Sequence, residues 1–180
     1  MEFPNRLFGK YIWYFPPGPV ILNAMKENRG GYAMSQDMTE QYREVNRRNP
    51  FIAHNGIEVV RVERDRAVLR LTIREESRNV YGLVHGGAIY ALADNACGCA
   101  ASTDGRSYVT QGSNISYLRN QASGQVMAEA TIRHRGRSTV LVEVSVTGED
   151  DKLLAVGSFT FFCVDGAVMK AKGGRLPGET

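Results

Sequence analysis

The stretch that most constrains the fold runs from Asn79 to Ser102, NVYGLVHGGAIYALADNACGCAAS. From Gly86 onward it reads as a helix. Ala88, Ala91, Leu92, Ala93, Ala96, Cys97, Cys99, Ala100 and Ala101 leave that helix almost no polar side. A helix apolar nearly all round has to be buried, and its small side chains let surrounding backbone come close. Yet Asp94 and Asn95 sit in its middle. A carboxylate inside a buried helix is costly unless it is paired, hydrogen-bonded or used in chemistry. The rest of the chain must therefore enclose this helix and find an occupation for its acid.

The flanking segments supply strands for that enclosure. Residues 35–48 read as an amphipathic helix, with Met38, Tyr42 and Val45 at three- and four-residue spacing. Acidic Asp37 and Glu40 lie early and basic Arg43, Arg47 and Arg48 late, as the helix dipole prefers, and Pro50 ends it. Ile57 to Val62 reads as a strand. Ala67, Leu69, Leu71 and Ile73 alternate with Val68, Arg70, Thr72 and Arg74 as a half-buried strand, with Arg64-Asp65-Arg66 as the hairpin turn between them. After the helix at 86–102, Thr103-Asp104-Gly105-Arg106 is a turn. Four strands then follow: Tyr108 to Leu118, Gln125 to Arg135, Thr139 to Gly148, and Leu153 to Val164. Val140, Val142, Val144 and Val146 form one face of the third, and Phe159, Phe161 and Cys163 one face of the fourth. Short separators imply antiparallel pairing of consecutive strands. The expected architecture is α+β, a single curled antiparallel sheet of about six strands wrapped around one long central helix. One helix cannot cover every apolar strand face, which implies self-association.

With 180 residues, 43% of them hydrophobic, the chain is long enough for one domain with a real core. The domain is expected over 34–165. The net charge of +3 is too small to argue for a nucleic-acid or membrane partner. Three cysteines, Cys97, Cys99 and Cys163, form no paired framework and fit a reducing, cytoplasmic setting. Cys97 and Cys99 point to different helix faces, and His54, His85 and His134 are scattered, so no metal site and no cofactor is expected. Residues 1–33 differ from the rest. Tyr11 to Leu22, YIWYFPPGPVIL, is apolar but too short and too proline-broken to span a bilayer, and it matches a secretory signal poorly. The segment reads as a weakly ordered extension, with a partner-packing arm through Trp13, Tyr14 and Phe15 as the alternative. Residues 166–180, rich in Gly and Lys, read as a flexible tail.

Asn79-x-x-Gly82-x-x-His85-Gly86-Gly87, with Asp94 nine residues after His85, resembles the hotdog-fold acyl-CoA thioesterases, closest to the phenylacetate-pathway (PaaI-like) type. The resemblance covers roughly Phe51 to Val164. It implies a homodimer, often paired into a homotetramer, with acyl-CoA as substrate and active sites at the dimer interface. Carried over by position, Asn79, His85 and Gly86 come from one subunit and Asp94 from the other. The family's Ser or Thr on the strand after the helix falls on Thr110, with Ser113 as the alternative.

Those residues suit thioester hydrolysis. The Gly86 N–H, at a helix N-terminus, can stabilise the oxyanion, and the lack of a side chain at Gly86 and Gly87 lets substrate approach. Asp94 then acts as general base or nucleophile. Asn79 would orient the thioester or leaving sulfur, His85 would hold Asn79 or its loop, and Thr110 would position the water. Each also has a plain structural reading: Asp94 as a buried bridging carboxylate, His85 and Asn79 as turn residues, the glycines as a tight loop-to-helix turn, and Thr110 as strand filler. The cluster Arg133-His134-Arg135-Gly136-Arg137 is the densest positive one. Arg135 and Arg137, with Arg119, are candidates for the CoA phosphates, against the reading of a solvated turn. Tyr81, Leu83, Val84 and Tyr90 are candidates for the acyl pocket. The competing functions are a non-catalytic acyl-CoA-binding or regulatory module on this fold and an acyl-carrier dehydratase. A pure binder has no need of the acid at Asp94, and the dehydratase pattern of His with carboxylate is not found.

Overall fold

The computed structural model describes residues 37–164. The expected extension at 1–33 and tail at 166–180 lie wholly outside that range. Along the chain come α1 (Thr39–Arg47), α2 (Pro50–His54), β1 (Ile57–Glu63), β2 (Arg66–Thr72), a 3-10 turn (Glu75–Ser77), α3 (Gly86–Ser102), β3 (Ser107–Tyr117), β4 (Gln125–Arg135), β5 (Thr139–Thr147), a second 3-10 turn (Glu149–Asp151) and β6 (Leu153–Val164). The six strands form one antiparallel sheet in the order β1-β2-β4-β5-β6-β3.

The period-two pattern decides which strand faces meet α3. Ala67, Leu69 and Leu71 of β2, Val126, Ala128 and Ala130 of β4, and all four alternate valines of β5 are buried. Phe159 and Phe161 of β6 complete the concave face. These side chains surround α3, which packs against all six strands. Within α3 every residue from Asn95 to Ser102 is buried. The sheet comes this close because that half of the helix carries nothing larger than Asn. Cys97 and Cys99 lie in this core as free thiols, and burial pushes both well above the usual thiol range. On the convex face, ion pairs such as Arg66–Glu129 and Arg133–Glu143 span neighbouring strands in water and contribute little.

Three features depart from the sequence expectation. Helix α1 begins at Thr39 rather than at residue 35, because Thr39 anchors the chain to β1. Its Oγ1 accepts the Val62 N–H at 3.0 Å, and the Met38 N–H bonds the Val62 carbonyl at 2.9 Å. Pro50 does not merely end a helix. It opens α2, with Asn49 as N-cap accepting the Ile52 N–H at 3.4 Å, since proline is well placed at a first helical position. And β3 does not pair with the strand that follows it. It crosses to the sheet edge beside β6. Gly157 of β6 makes that pairing fit: a Cβ there would stand 2.8 Å from the Asn114 carbonyl oxygen.

Candidate active site

The entrance to α3 is built by a loop that closes on Asn79. Its Oδ1 accepts the N–H groups of Tyr81 at 2.9 Å and Leu83 at 3.2 Å. Its backbone bonds Leu83 and Gly82, the latter at a φ of 74° that favours glycine. The Asn79 Nδ2 group has no partner among the described residues. His85 is the N-cap of α3: its Nδ1 accepts the Gly87 N–H at 2.8 Å. The ring nitrogen facing Gly87 is therefore unprotonated, and the imidazole proton sits on Nε2. No hydrogen bond joins His85 to the Asn79 side chain; the His85 N–H goes to the Ser77 carbonyl at 2.8 Å.

These bonds leave one amide over. Of the first four N–H groups of α3, Gly87 is capped by His85 Nδ1, while Ala88 and Ile89 both reach the His85 carbonyl. The Gly86 N–H has no partner among the described residues. It stands at the positive end of a 17-residue helix, where backbone and dipole together favour an anion. Tyr117, which sequence reasoning missed, braces this turn. Its hydroxyl donates to the Gly86 carbonyl at 3.0 Å, and its ring would lie 3.5 Å from a Cβ on Gly86. In the sequence Tyr117 is one tyrosine near the end of a strand, with no spacing that ties it to Gly86.

Gly86, Tyr90 and Asp94 recur every four residues and share one face of α3. With Gly87 and Ala91, they are the only residues of this helix that are not buried. That face meets β3. Thr110 Oγ1 donates to Asp94 Oδ1 at 2.8 Å, and Ser113 Oγ lies 2.6 Å from the Tyr90 hydroxyl. Thr110 and Ser113, three apart, share a strand face only because β3 is irregular between Thr110 and Gly112; an inserted residue resets the alternation. The Tyr90 ring packs 5.5 Å from that of Phe159. Burial raises the Asp94 carboxyl above the ordinary aspartate range, and the Thr110 bond opposes that rise. Next to it, Asn95 is 2% exposed with no partner for either amide atom among the described residues.

The arginine cluster divides. Arg135 is 15% exposed and fully occupied inside the chain. Its guanidinium reaches Asp104 at 2.8 Å, Asp65 at 2.7 Å and the carbonyls of Ala101 and Ala100 at 2.7 and 3.2 Å. It ties the β4–β5 hairpin to the carbonyl end of α3, where a cation is favoured. Burial alone would raise Asp104, but bonds from the Arg106 amide, Tyr108 and the Arg106 guanidinium, together with the charge of Arg135, hold it below the usual carboxylate range. A phosphate-binding role for Arg135 does not fit this arrangement, because its donors are already spent. Arg137 is exposed, and its carbonyl is held by Arg106 at 2.8 Å. Arg119 is exposed at the end of β3 and bonds the Leu153 carbonyl at 3.2 Å. Tyr81 is 83% exposed beside the loop and Val84 fully buried, so of these two only Tyr81 faces solvent. Among the described residues no group of His, Cys, Asp or Glu could hold a metal ion, and no helix is long and apolar enough to cross a membrane.

The thioesterase superfamily matches residues 81–155 of the chain. A 1,4-dihydroxy-2-naphthoyl-CoA hydrolase of Listeria monocytogenes is 35% identical over 108 residues, covering 58% of this chain and 88% of the relative. The acyl-coenzyme A thioesterase PaaI of Escherichia coli is 28% identical over 102 residues, covering 56% of this chain and 73% of the relative. A Streptococcus mutans protein solved bound to acetyl-CoA superposes with a TM-score of 0.58 at 30% identity, over 61% of this chain and 89% of that one.

Proposed function

This chain belongs to the thioesterase superfamily, in its PaaI-like branch of hotdog-fold thioester hydrolases, and from that premise we propose that it cleaves acyl-CoA to the free acid and CoA at a site shared between two subunits. The observation that carries this reading is the division of labour along α3. A free amide at Gly86 and a poised carboxylate at Asp94 lie on one face, eight residues apart. Eight residues of helix span about 12 Å. One carbonyl carbon cannot be served by both groups of one chain. Two helices running antiparallel across a two-fold axis would bring each Gly86 opposite the other subunit's Asp94.

The chemistry then follows from the groups. The Gly86 N–H, with the helix dipole behind it, polarises the thioester carbonyl and holds the oxyanion. Thr110 occupies Asp94 Oδ1, so Oδ2 takes a proton from water as the water oxygen bonds to the carbonyl carbon. Collapse of the tetrahedral intermediate breaks the C–S bond and expels the CoA thiolate, which takes up the proton held by the Asp94 carboxyl and so restores the carboxylate. The raised carboxyl of Asp94 suits a general base, since its proton affinity is moved towards the working pH. The Asn79 Nδ2 donor faces the carbonyl or the leaving sulfur. His85 keeps the Gly86–Gly87 turn in register through its cap rather than carrying protons itself. Arg137 and Arg119, exposed and not paired with carboxylates among the described residues, are the positions offered to the CoA phosphates. Val80 and Tyr81, 95% and 83% exposed beside the loop, are the apolar surface expected to meet the partner or the acyl group.

Subunit complementation tests the shared site. Asp94→Asn and Gly86→Pro chains, each inactive alone, are mixed under mild denaturant and refolded together. A heterodimer then holds one site with both wild-type groups and one with neither, so thiol release from acyl-CoA returns. Absence of any recovery, with mixed dimers verified by mass spectrometry, would reject the shared site.

A further inference from the structure

The sheet edge opposite β3 carries a second concentration of chemistry. Between α1, the turn after α2 and strands β1 and β2 lies a groove of about 540 Å³. Four guanidinium groups line it, those of Arg43, Arg47, Arg70 and Arg74, against one carboxylate, Glu58. Arg43 is fixed in place, its Nε and Nη2 donating to the Val59 and Val60 carbonyls at 3.0 and 3.2 Å. Arg70 pairs with Glu58. Arg47 pairs with Glu40 and Glu44 in the open, where such pairs exchange readily. Arg74 has no side-chain partner among the described residues. Its head lies over Gly56: a Cβ there would stand 3.2 Å from Arg74 Cζ, and the φ of 65° at Gly56 already excludes most side chains.

A second observation points to a ligand. Asn46, only 5% exposed, lines the same groove, and neither its Oδ1 nor its Nδ2 has a partner among the described residues. Arg70 Nε is likewise buried and unpartnered. Buried polar atoms without partners are rare in folded chains, and here three lie along one basic groove.

We propose that this groove binds the phosphate group of a small molecule, with Arg74 and Arg47 clasping its oxygens and Asn46 beneath them as a neutral donor and acceptor. Guanidinium forks match phosphate geometry. The site is separate from the thioester site: none of its residues lies on the Gly86–Asp94 face, and β1 and β3 are opposite edges of the sheet.

Calorimetric titration of the full chain at low salt with inorganic pyrophosphate, and separately with ATP, tests this. Saturable binding of either probe at one per chain is expected, weakened at least about tenfold in Arg74→Ala and unchanged in Arg66→Ala, whose partner is Glu129 outside the groove. The two probes separate the sources. Tighter binding of ATP than of pyrophosphate means a nucleotide ligand, whereas equal affinities mean that the phosphate alone is recognised. The proposal is overturned if neither probe saturates, if Arg74→Ala and Arg47→Ala bind like the wild type, or if the loss appears in Arg66→Ala instead.

Discussion

Thr110 reaches from the edge strand β3 to Asp94 in the middle of the central helix, its hydroxyl donating over 2.8 Å. The bond answers the question posed by a carboxylate in a nearly apolar helix. It satisfies one oxygen and leaves the other without a partner among the described residues. Burial raises the carboxyl and Thr110 restrains the rise, so burial and this contact together set the proton affinity of the acid, and the contact fixes its orientation.

Asp94→Asn separates function from stability. Loss of a general base should cost about 10² to 10⁴ in kcat. Stability should move the other way. The folded chain keeps the Asp94 proton to higher pH than the unfolded chain does, so this group costs stability once pH exceeds the unfolded carboxyl value, about 4. Asp94→Asn should therefore melt above the wild type at pH 7, with the difference closing below about pH 4. Scanning calorimetry at both pH values checks it. Thr110→Val should carry the acid limb of kcat/KM to higher pH, because the bond that lowers the carboxyl is gone.

Gly86→Pro deletes one atom pair of interest, the N–H, with little else. Proline is at home in the first helical position. His85 before it is extended, at φ −68° and ψ 137°, as a residue preceding proline prefers. An added Cβ meets only ordinary contact with the Tyr117 ring. The variant should keep its circular dichroism and melting temperature while losing about 10² to 10³ in rate. An unchanged rate would remove the oxyanion role from Gly86.

Arg135 and Arg137 should behave as opposites. Arg135→Ala strips a partly buried pair from Asp104 and Asp65 and a cation from the end of α3. It should destabilise by about 3 kcal/mol in urea unfolding and leave KM near wild type in the surviving folded protein. Arg137→Ala, at an exposed position with no carboxylate partner among the described residues, should raise KM for acyl-CoA with no change in melting. A thioester lacking the nucleotide should not feel it.

Gly157→Val tests the placement of β3. The new side chain would meet the Asn114 carbonyl oxygen and Ile115, and forcing it in should cost about 1 to 3 kcal/mol. Because β3 carries Thr110, Ser113 and Tyr117, activity should fall with stability. A variant of normal stability would mean that β3 and β6 are less closely apposed than the register requires.

The amino-acid sequence alone determined what depends on neighbours along the chain. The bounds of α3 at Gly86 and Ser102, the alternating valines of β5 and the unusual acid in an apolar helix are local patterns, and local periodicity is written directly in residue order. What depends on residues far apart was decided by tertiary structure. That β3 leaves its successor and pairs with β6, that an irregularity beside Gly112 turns both Thr110 and Ser113 towards α3, and that Arg135 is spent on Asp65, 70 positions away, could not be read from spacing. Side-chain period two says which residues share a strand face only while the strand is regular, and no periodicity reports which distant strand will close the sheet.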